Sequence, residues 1–437
     1  MMKKNLLYLF FIANLSLIIY FWWTSPATLF ADKANTLLSL GRLSGLLAVI
    51  FVLLQFVLMG RVRWVEEVFG LDKLARIHRM NGYLSISFIL THAFLITSSY
   101  AILGKIGFIS QLVDFFTHYE DIWQAEIAVI LFCSIVLSSI YMVFKRLKYE
   151  WWYGIHLLTY LAVILAWGHQ LKGGSDFHSH FFVIYWYSLY IFVALNVLYF
   201  RFTRGIFLSY RQKFRVVKIV KEGSTAHSVY ISGKNLDQFK TTPGQFISIR
   251  FLNKYFWQQH PFSLSWIPRN NLLRLTIKNS GDFTSTIGDI KIGTYVYLDG
   301  PFGSFRLEQN SQKFLFIAGG VGITPIRSLI EQAVSLKKDL VLLYSNQFSN
   351  DIILQDELDT FSKQYIFPIH YIVTKDGTWK GEKGRIDAEK LQRLVTDLTQ
   401  REVYICGPVR MMDDLNVTLQ SLGVSKSHIH YEKFSLH

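Results

Sequence analysis

Six apolar runs, at about 6–23, 36–59, 80–103, 123–144, 151–170 and 181–200, fill the first half of this 437-residue chain. A helix needs roughly 20 apolar residues to cross a bilayer, and each run is about that long. The first half is therefore expected to be a six-helix membrane bundle. No small-residue cleavage site follows the first run, so it is expected to stay as a helix rather than leave as a signal peptide. After Arg201 the pattern changes to short alternating strands, Gly/Pro turns and amphipathic helices, which predicts a soluble module behind the bundle. The length suits about three domains, expected at 1–205, 206–308 and 309–437.

Lys and Arg set the orientation. The segment RVRWVEEVFGLDKLARIHR carries five of them, KRLKYE carries three, and RFTRG follows the sixth run, whereas the alternate loops carry only Lys33, Lys105 and Lys172. Positive residues stay cytoplasmic, so both termini and the soluble half are expected inside, with the plasma membrane as the site. The formal charge of +14 then reflects this bias and contact with anionic lipid, and gives no reason to expect nucleic acid. Two cysteines, Cys133 and Cys406, make neither a disulfide framework nor a zinc site.

The third run carries His78 and His92 (HRMNGYLSISFILTH) and the fifth carries His156 and His169 (HLLTYLAVILAWGH). Both runs travel from inside to outside, so His78 and His156 share the inner depth and His92 and His169 the outer. Each pair spans roughly 20 Å along its helix axis. That is room for two haems stacked across the membrane, each held by one histidine from each helix. Fourteen steps of 100° return to within about 40° of the starting face, but thirteen land about 140° away. The fifth helix is thus expected to be locally over-wound, or the two haems to be rotated relative to each other. His118, His178 and His180 are expected to be solvated loop residues.

In the soluble half, FRVVKIV, AHSVYIS, GQFISIRF, LLRLTIK and TYVYLDG read as strands of a small antiparallel barrel, with HPFSLS (260–265) between two of them. LTIKNSGDFTSTI (275–287) and GPFG (300–303) follow. From residue 313 the order is strand, glycine turn, helix (KFLFIAGGVGITPIRSLIEQA). There the backbone can approach a pyrophosphate at a helix N-terminus. DLVLLYSN, FPIHYIV and EVYICGPVRMMDDL complete a doubly wound α/β pattern.

The succession of histidine pairs, HPFS, GDFT, GGVGITP and CGP resembles the NADPH oxidase and ferric reductase superfamily over nearly the whole chain, with bacterial-type NADPH oxidases most similar. The resemblance implies a six-helix two-haem membrane domain fused to a ferredoxin-NADP-reductase-like module, a β-barrel FAD domain plus an α/β nucleotide domain. By resemblance, His260, Pro261, Phe262 and Ser263 form the flavin motif, with Ser263 near the isoalloxazine and His260 towards the phosphates. Lys278, Gly281 and Thr284 resemble the segment that holds the FAD pyrophosphate. Gly319, Gly320, Gly322, Thr324 and Pro325 resemble the nicotinamide-nucleotide loop, and Cys406, Gly407 and Pro408 the motif that sets the nicotinamide beside the flavin. Phe434 is the candidate aromatic cover for the flavin ring. Where NADPH-specific relatives often carry an arginine after the second strand, this chain reads YSNQ (344–347). Use of both NADPH and NADH is expected, with Arg327 or a lysine as a substitute cation.

A nicotinamide gives two electrons together and a haem takes one, with FAD converting between them. Electrons are then expected to pass from cytosolic NAD(P)H to the inner pair, the outer pair and an external acceptor. Histidine on both sides of each iron leaves O₂ no coordination position, so the expected product with oxygen is superoxide. A ferric or cupric chelate, or an external partner protein, would be served by the same wiring. Short outer loops without a metal-binding cluster favour oxygen. Arg42, about two turns inside the outer end of the second helix, is expected to face the bundle near the outer haem and favour O₂⁻ formation; the alternative is snorkelling to headgroups. Glu126 is a candidate proton-path or snorkelling carboxylate. No calcium-binding loop or long N-terminal extension is visible, so no obligatory activator subunit is expected.

Overall fold

Apolar runs become helices here because a chain in hydrocarbon must satisfy its backbone hydrogen bonds within each segment. The computed structural model describes residues 2–120, 122–143, 147, 149–173, 177, 179–236, 239–252 and 259–432. Phe434, His178 and most of the basic loop 144–148 lie outside the described residues. Among the described residues, six helices are long and apolar enough to cross a membrane. They fall within α1 (Met2–Thr24), α2 (Lys33–Met59), α4 (Leu71–Gly104), α6 (Ile122–Val143), α7 (Tyr149–Gly173) and the run beginning with α8 (His180–Val197). Two short helices, α3 (Arg63–Phe69) and α5 (Phe108–His118), form where the sequence suggested loops. In α5, Gln111 and Phe115 are buried while Ile109, Val113 and Phe116 are exposed, an amphipathic pattern too short to register as a span. His118 accordingly ends a helix and pairs with Asp114 at 3.0 Å.

The chain divides into two compact units, one of Met1–Phe69 with Lys73–Tyr199, the other of Gly70–Asp72 with the residues from Phe200 on. In the first, Ile18, Trp22, Leu46, Ile50, Phe182 and Trp186 form a shared core between α1, α2 and α8. Asp32 caps α2 by accepting from the Asn35 amide at 2.8 Å. Both α1 and the loop beyond it are tethered to α2: Trp22 Nε1 donates to the Ser39 carbonyl at 2.8 Å, and Ser39 Oγ bonds both backbone groups of Leu29.

The second unit starts before the expected boundary at 206. A π-helical stretch, Leu198–Thr203, leads into α9 (Arg204–Gln212), and α9 packs on the barrel. Ser209 Oγ accepts from the Leu298 amide at 2.9 Å, and Gly205 leaves no room for a Cβ beside Tyr297. The barrel has two antiparallel three-stranded sheets, β1 (Arg215–Glu222), β2 (Ala226–Ser232) and β5 (Leu272–Lys278) in one, β4 (His260–Ser263), β3 (Phe246–Phe251) and β6 (Val296–Phe302) in the other. HPFS is thus itself a strand, a correction to its expected place between strands: it pairs with β3 from Ile249↔His260 to Phe246↔Ser263. A single turn, α10 (Asp282–Ser285), follows β5.

The nucleotide domain is a parallel six-stranded sheet. Its elements are β7 (Lys313–Gly319), α11 (Ile323–Ser335), β8 (Asp339–Asn346), α12 (Gln355–Tyr365), β9 (Ile369–Val373), β10 (Glu382–Lys383), α13 (Ala388–Leu394), β11 (Glu402–Cys406), α14 (Val409–Ser421) and β12 (Ile429–Tyr431). The order β10-β9-β8-β7-β11-β12 reverses between β7 and β11, and open α/β sheets bind ligands at the carboxyl ends of strands at such a switch. Apolar cores cover both faces, one centred on Phe316, Ile326 and Tyr404, the other on Ile317, Val403 and Met412.

Candidate cofactor sites

The four membrane histidines form two cross-helix pairs. His78 of α4 faces His156 of α7 with ring centres 6.0 Å apart, and His92 faces His169 with centres 6.2 Å apart. A metal bound on axis between two imidazoles, at about 2.0–2.1 Å from each nitrogen and with ~1.1 Å more to each ring centre, would set the centres about 6.3 Å apart. Rings on a common axis can turn about it, so interplanar angles of 65° and 35° are both compatible with such a centre. α7 remains α-helical throughout, with no over-wound segment, so its two histidines leave it in different directions and each meets its α4 counterpart.

Neighbouring groups hold these rings. The Gly41 carbonyl lies 2.8 Å from His92 Nδ1, which assigns the proton to Nδ1 and the lone pair to Nε2. A Cβ on Gly45 would sit 2.6 Å from the same Nδ1, so α2 needs glycine there. At the inner pair, Trp152 stacks on His156 at 5.1 Å and 29°, and its indole N–H donates to Ser139 Oγ at 3.1 Å. Nδ1 of His78 and of His156 is buried with no hydrogen-bond partner among the described residues. No group of three or more His, Cys, Asp or Glu gathers among the described residues. Two imidazoles facing across a gap suit an iron whose equatorial ligands come from a porphyrin, and on these donors b-type haem fits both sites.

Arg42 is buried in α2. Its guanidinium donates to the Ala27 carbonyl and, at 3.0 Å, to Ser25 Oγ, tying down the loop beyond α1. Glu126 Oε1 is buried in α6 without a hydrogen-bond partner among the described residues.

In the barrel, the two flavin-like motifs meet. His260 stacks on Phe283 at 4.0 Å and 28°, joining β4 to α10, and burial lowers its pKa. Ser263 is buried, Phe262 half-buried and Pro261 exposed. Lys278 ends β5, and Thr284 Oγ1 accepts from the amides of Ser280 (2.8 Å) and Gly281 (3.0 Å), which folds NSGDFT into a tight turn. Nothing lies within 4 Å of a Cβ position on Gly281, so a ligand can reach that backbone. Glu432 was not singled out from the sequence; its Oε1 lies 3.0 Å from a Cβ position on Gly303, at the end of GPFG.

The glycine turn and CGP also meet. β7 and β11 are neighbours with Ala318↔Cys406 in register, and Gly322 lies so close to the Cys406 carbonyl that no Cβ fits. Met411 Cε closes over both Gly319 and Gly407, at 2.6 and 2.5 Å from their Cβ positions. Gly320 takes φ +53° with open space beside it. Its carbonyl accepts from the buried Tyr344 hydroxyl at 3.0 Å, and Thr324 Oγ1 donates to the Val321 carbonyl at 3.0 Å. Pro325 is buried in α11, Cys406 is fully buried, Gly407 half-buried and Pro408 exposed. Met411 and Tyr344 shape this turn, yet in sequence they read as ordinary core residues. Arg327 cannot serve as the substitute cation for a 2′-phosphate: it is 1% exposed and bonded to Glu357 and Glu331.

Residues 44–167 match a family described as the ferric reductase like transmembrane component, 211–305 an FAD-binding domain, and 316–416 the oxidoreductase NAD-binding domain. A flavohemoprotein of Bacillus cereus is 29% identical over 246 residues, 51% of this chain and 60% of that protein. The plasma membrane-associated coenzyme Q6 reductase of Saccharomyces cerevisiae is 34% identical over 135 residues, 29% of this chain and 43% of that protein. The chain therefore spans less than two thirds of either relative. The solved flavohem-like FAD/NAD-binding domain of a nitric oxide dioxygenase from Vibrio cholerae is 22% identical, with a TM-score of 0.46, covering 51% of this chain and 98% of that one. With a ferric-reductase-like transmembrane component, an FAD-binding domain and an NAD-binding domain in that order, this multi-pass membrane oxidoreductase has the NADPH oxidase and ferric reductase architecture.

Proposed function

We propose that the chain is a plasma-membrane NAD(P)H oxidase that takes electrons from cytosolic NADPH or NADH and reduces O₂ on the far side to superoxide. The observation that carries this reading is the pair of imidazole couples, His78 with His156 and His92 with His169, at 6.0 and 6.2 Å between ring centres. When bound, FAD and two b-type haems would supply the change from a two-electron donor to single-electron transfers through the bilayer. The chain's own residues would bind and orient these groups. His78 with His156 and His92 with His169 would hold the two haems, with Trp152 and Gly41 keeping His156 and His92 in place. The turn closed by Thr284 would present Gly281 to the FAD pyrophosphate, and Gly320 would present its backbone to the nucleotide. With an imidazole offered from both sides of each site, the four histidines would leave oxygen no place to bind, and the haems they would hold would supply single electrons to the acceptor.

Cytoplasmic termini follow from the basic segment 61–79 and the positive-inside tendency. No activator subunit is required in this reading. A ferric or cupric chelate reductase is the second reading, supported by the match to the ferric reductase like component. The test uses purified protein with FAD and NADPH in air, following cytochrome c reduction with and without superoxide dismutase. Loss of most of the signal on adding dismutase is expected. A dismutase-insensitive signal would move the assignment to the chelate reductase.

A further inference from the structure

Between the barrel and the nucleotide domain lies a chain of ion pairs that no cofactor motif contains. Glu357, in the first turn of α12, accepts from Arg274 of β5 at 2.5 Å (Nη1 to Oε2) and 3.1 Å (Nη2 to Oε1). The same carboxylate accepts from Arg327 of α11 at 2.8 Å (Nε) and 2.7 Å (Nη2). Arg327 continues to Glu331 at 3.1 Å, and Glu331 to Arg269 at 2.6 Å and the Ile267 amide at 3.3 Å. Both central arginine side chains are only 2% exposed.

Each guanidinium is held in plane as well. Arg274 donates from Nε to Ser265 Oγ (3.0 Å) and from Nη2 to the Ser265 carbonyl (2.9 Å), with Trp266 over it at 4.9 Å. Arg327 lies over Phe361 at 4.3 Å. At the next residue, Ser328 Oγ accepts from the Gly244 amide at 2.9 Å, and Gly244 itself abuts the Phe305 carbonyl. Charges this deeply buried hold only while all partners are present, since removing one strands the others in low dielectric. Such a network makes a weak general stabiliser but a selective one, because it is satisfied at a single relative placement of its elements.

The elements it joins decide the meaning. β5 is the strand that ends in Lys278 and enters the Thr284 turn, on the flavin side. α11 is the helix that opens from Gly320–Gly322, on the nucleotide side, with Arg327 one turn in. We propose that Glu357 is a positioning residue: by clamping Arg274 and Arg327 together it fixes the distance between the flavin turn and the nucleotide turn, and so sets the rate at which NAD(P)H reduces FAD. The clamp rests on the reading that NAD(P)H reduces FAD in this module. In that step the nicotinamide is oxidised by loss of a hydride, both electrons go to the flavin, and a solvent proton completes the reduced flavin.

The test compares full-length wild type, Glu357→Gln and Arg274→Lys, each purified with FAD. Three quantities are followed: anaerobic bleaching of the oxidised flavin by NADPH, FAD content, and backbone hydrogen exchange. Displacements of ~1 Å can cost up to ~100-fold in rate, so Glu357→Gln is expected to bleach at least about tenfold slower at saturating NADPH. Its nucleotide affinity is expected to stay within about threefold and FAD content unchanged, a loss in kcat rather than KM. Exchange should rise across 264–276 and α11 and stay low in β7 and β8. Arg274→Lys, which keeps the charge but not the two-point grip, should fall between. If Glu357→Gln does not fold, Arg274→Lys carries the test on the same readouts. Wild-type-like bleaching, loss of FAD, or slow bleaching with unchanged exchange would overturn the clamp. A wild-type flavin that neither NADPH nor NADH bleaches would instead overturn the electron-transfer reading on which it rests.

Discussion

At His92 the Gly41 carbonyl accepts from Nδ1–H, and Gly45 leaves only enough room for the ring, so two glycines of α2 decide how a histidine of α4 is presented. Gly45→Val is expected to push the ring aside and remove one of the two proposed haems, read as a halved pyridine haemochrome signal, while flavin reduction by NADPH continues. The histidines themselves are legible in sequence because an ionisable residue in an apolar run demands a partner. Gly45, Trp152 and Ser139 are not, because small and apolar residues are what any membrane helix contains. Arg42 shows the limit of the same logic. Its cost in hydrocarbon signals a partner, but only the folded chain shows that its partners include Ser25 and the Ala27 carbonyl. Arg42→Leu is therefore expected to lower the melting temperature together with oxygen turnover, at intact haem content. Slower turnover at unchanged stability would return the guanidinium to the acceptor.

Among the elements, the turn from β5 into α10 depends on one hydroxyl. Thr284 Oγ1 serves two backbone amides, at about 0.5–1.5 kcal/mol per hydrogen bond. Thr284→Val, which loses both, is expected to weaken FAD binding by about 5- to 150-fold, measured by titration of flavin fluorescence. The ion-pair chain between β5, α11 and α12 adds a pH dependence. Burial raises the pKa of Glu357, but hydrogen bonds and charge from Arg274 and then Arg327 outweigh it and leave the carboxyl below the usual range. A depressed pKa means stability that is full above the unfolded value of about 4.3 and lost as pH falls through the folded value. The melting temperature of the protein should accordingly be flat above about pH 5 and fall below about pH 4, with a smaller fall in Glu357→Gln. HPFS was missed as a strand because four residues with a proline at the second position carry almost no periodic signal; its pairing with β3 comes from the sheet.

For the molecule as a whole, the absence of an arginine in YSNQ and the burial of Arg327 among carboxylates predict weak discrimination at the 2′ position of the nucleotide. The kcat/KM ratio for NADPH over NADH is expected to stay within about tenfold, and a preference above about a hundredfold would require a cation that these residues do not supply. By itself the sequence determined the number of membrane helices, the two matched histidine depths and the order of flavin and nucleotide motifs. These are properties of local apolarity, residue spacing and glycine turns, which act within a few residues of the chain. Only the tertiary structure decided that His156 and His169 both meet α4 from one unbroken helix α7, that Met411 and Tyr344 close the nucleotide turn, and that Glu357 joins β5 to α11. Each of these pairs residues far apart in the chain, and their energies come from packing and buried charge that exist only after the elements have come together.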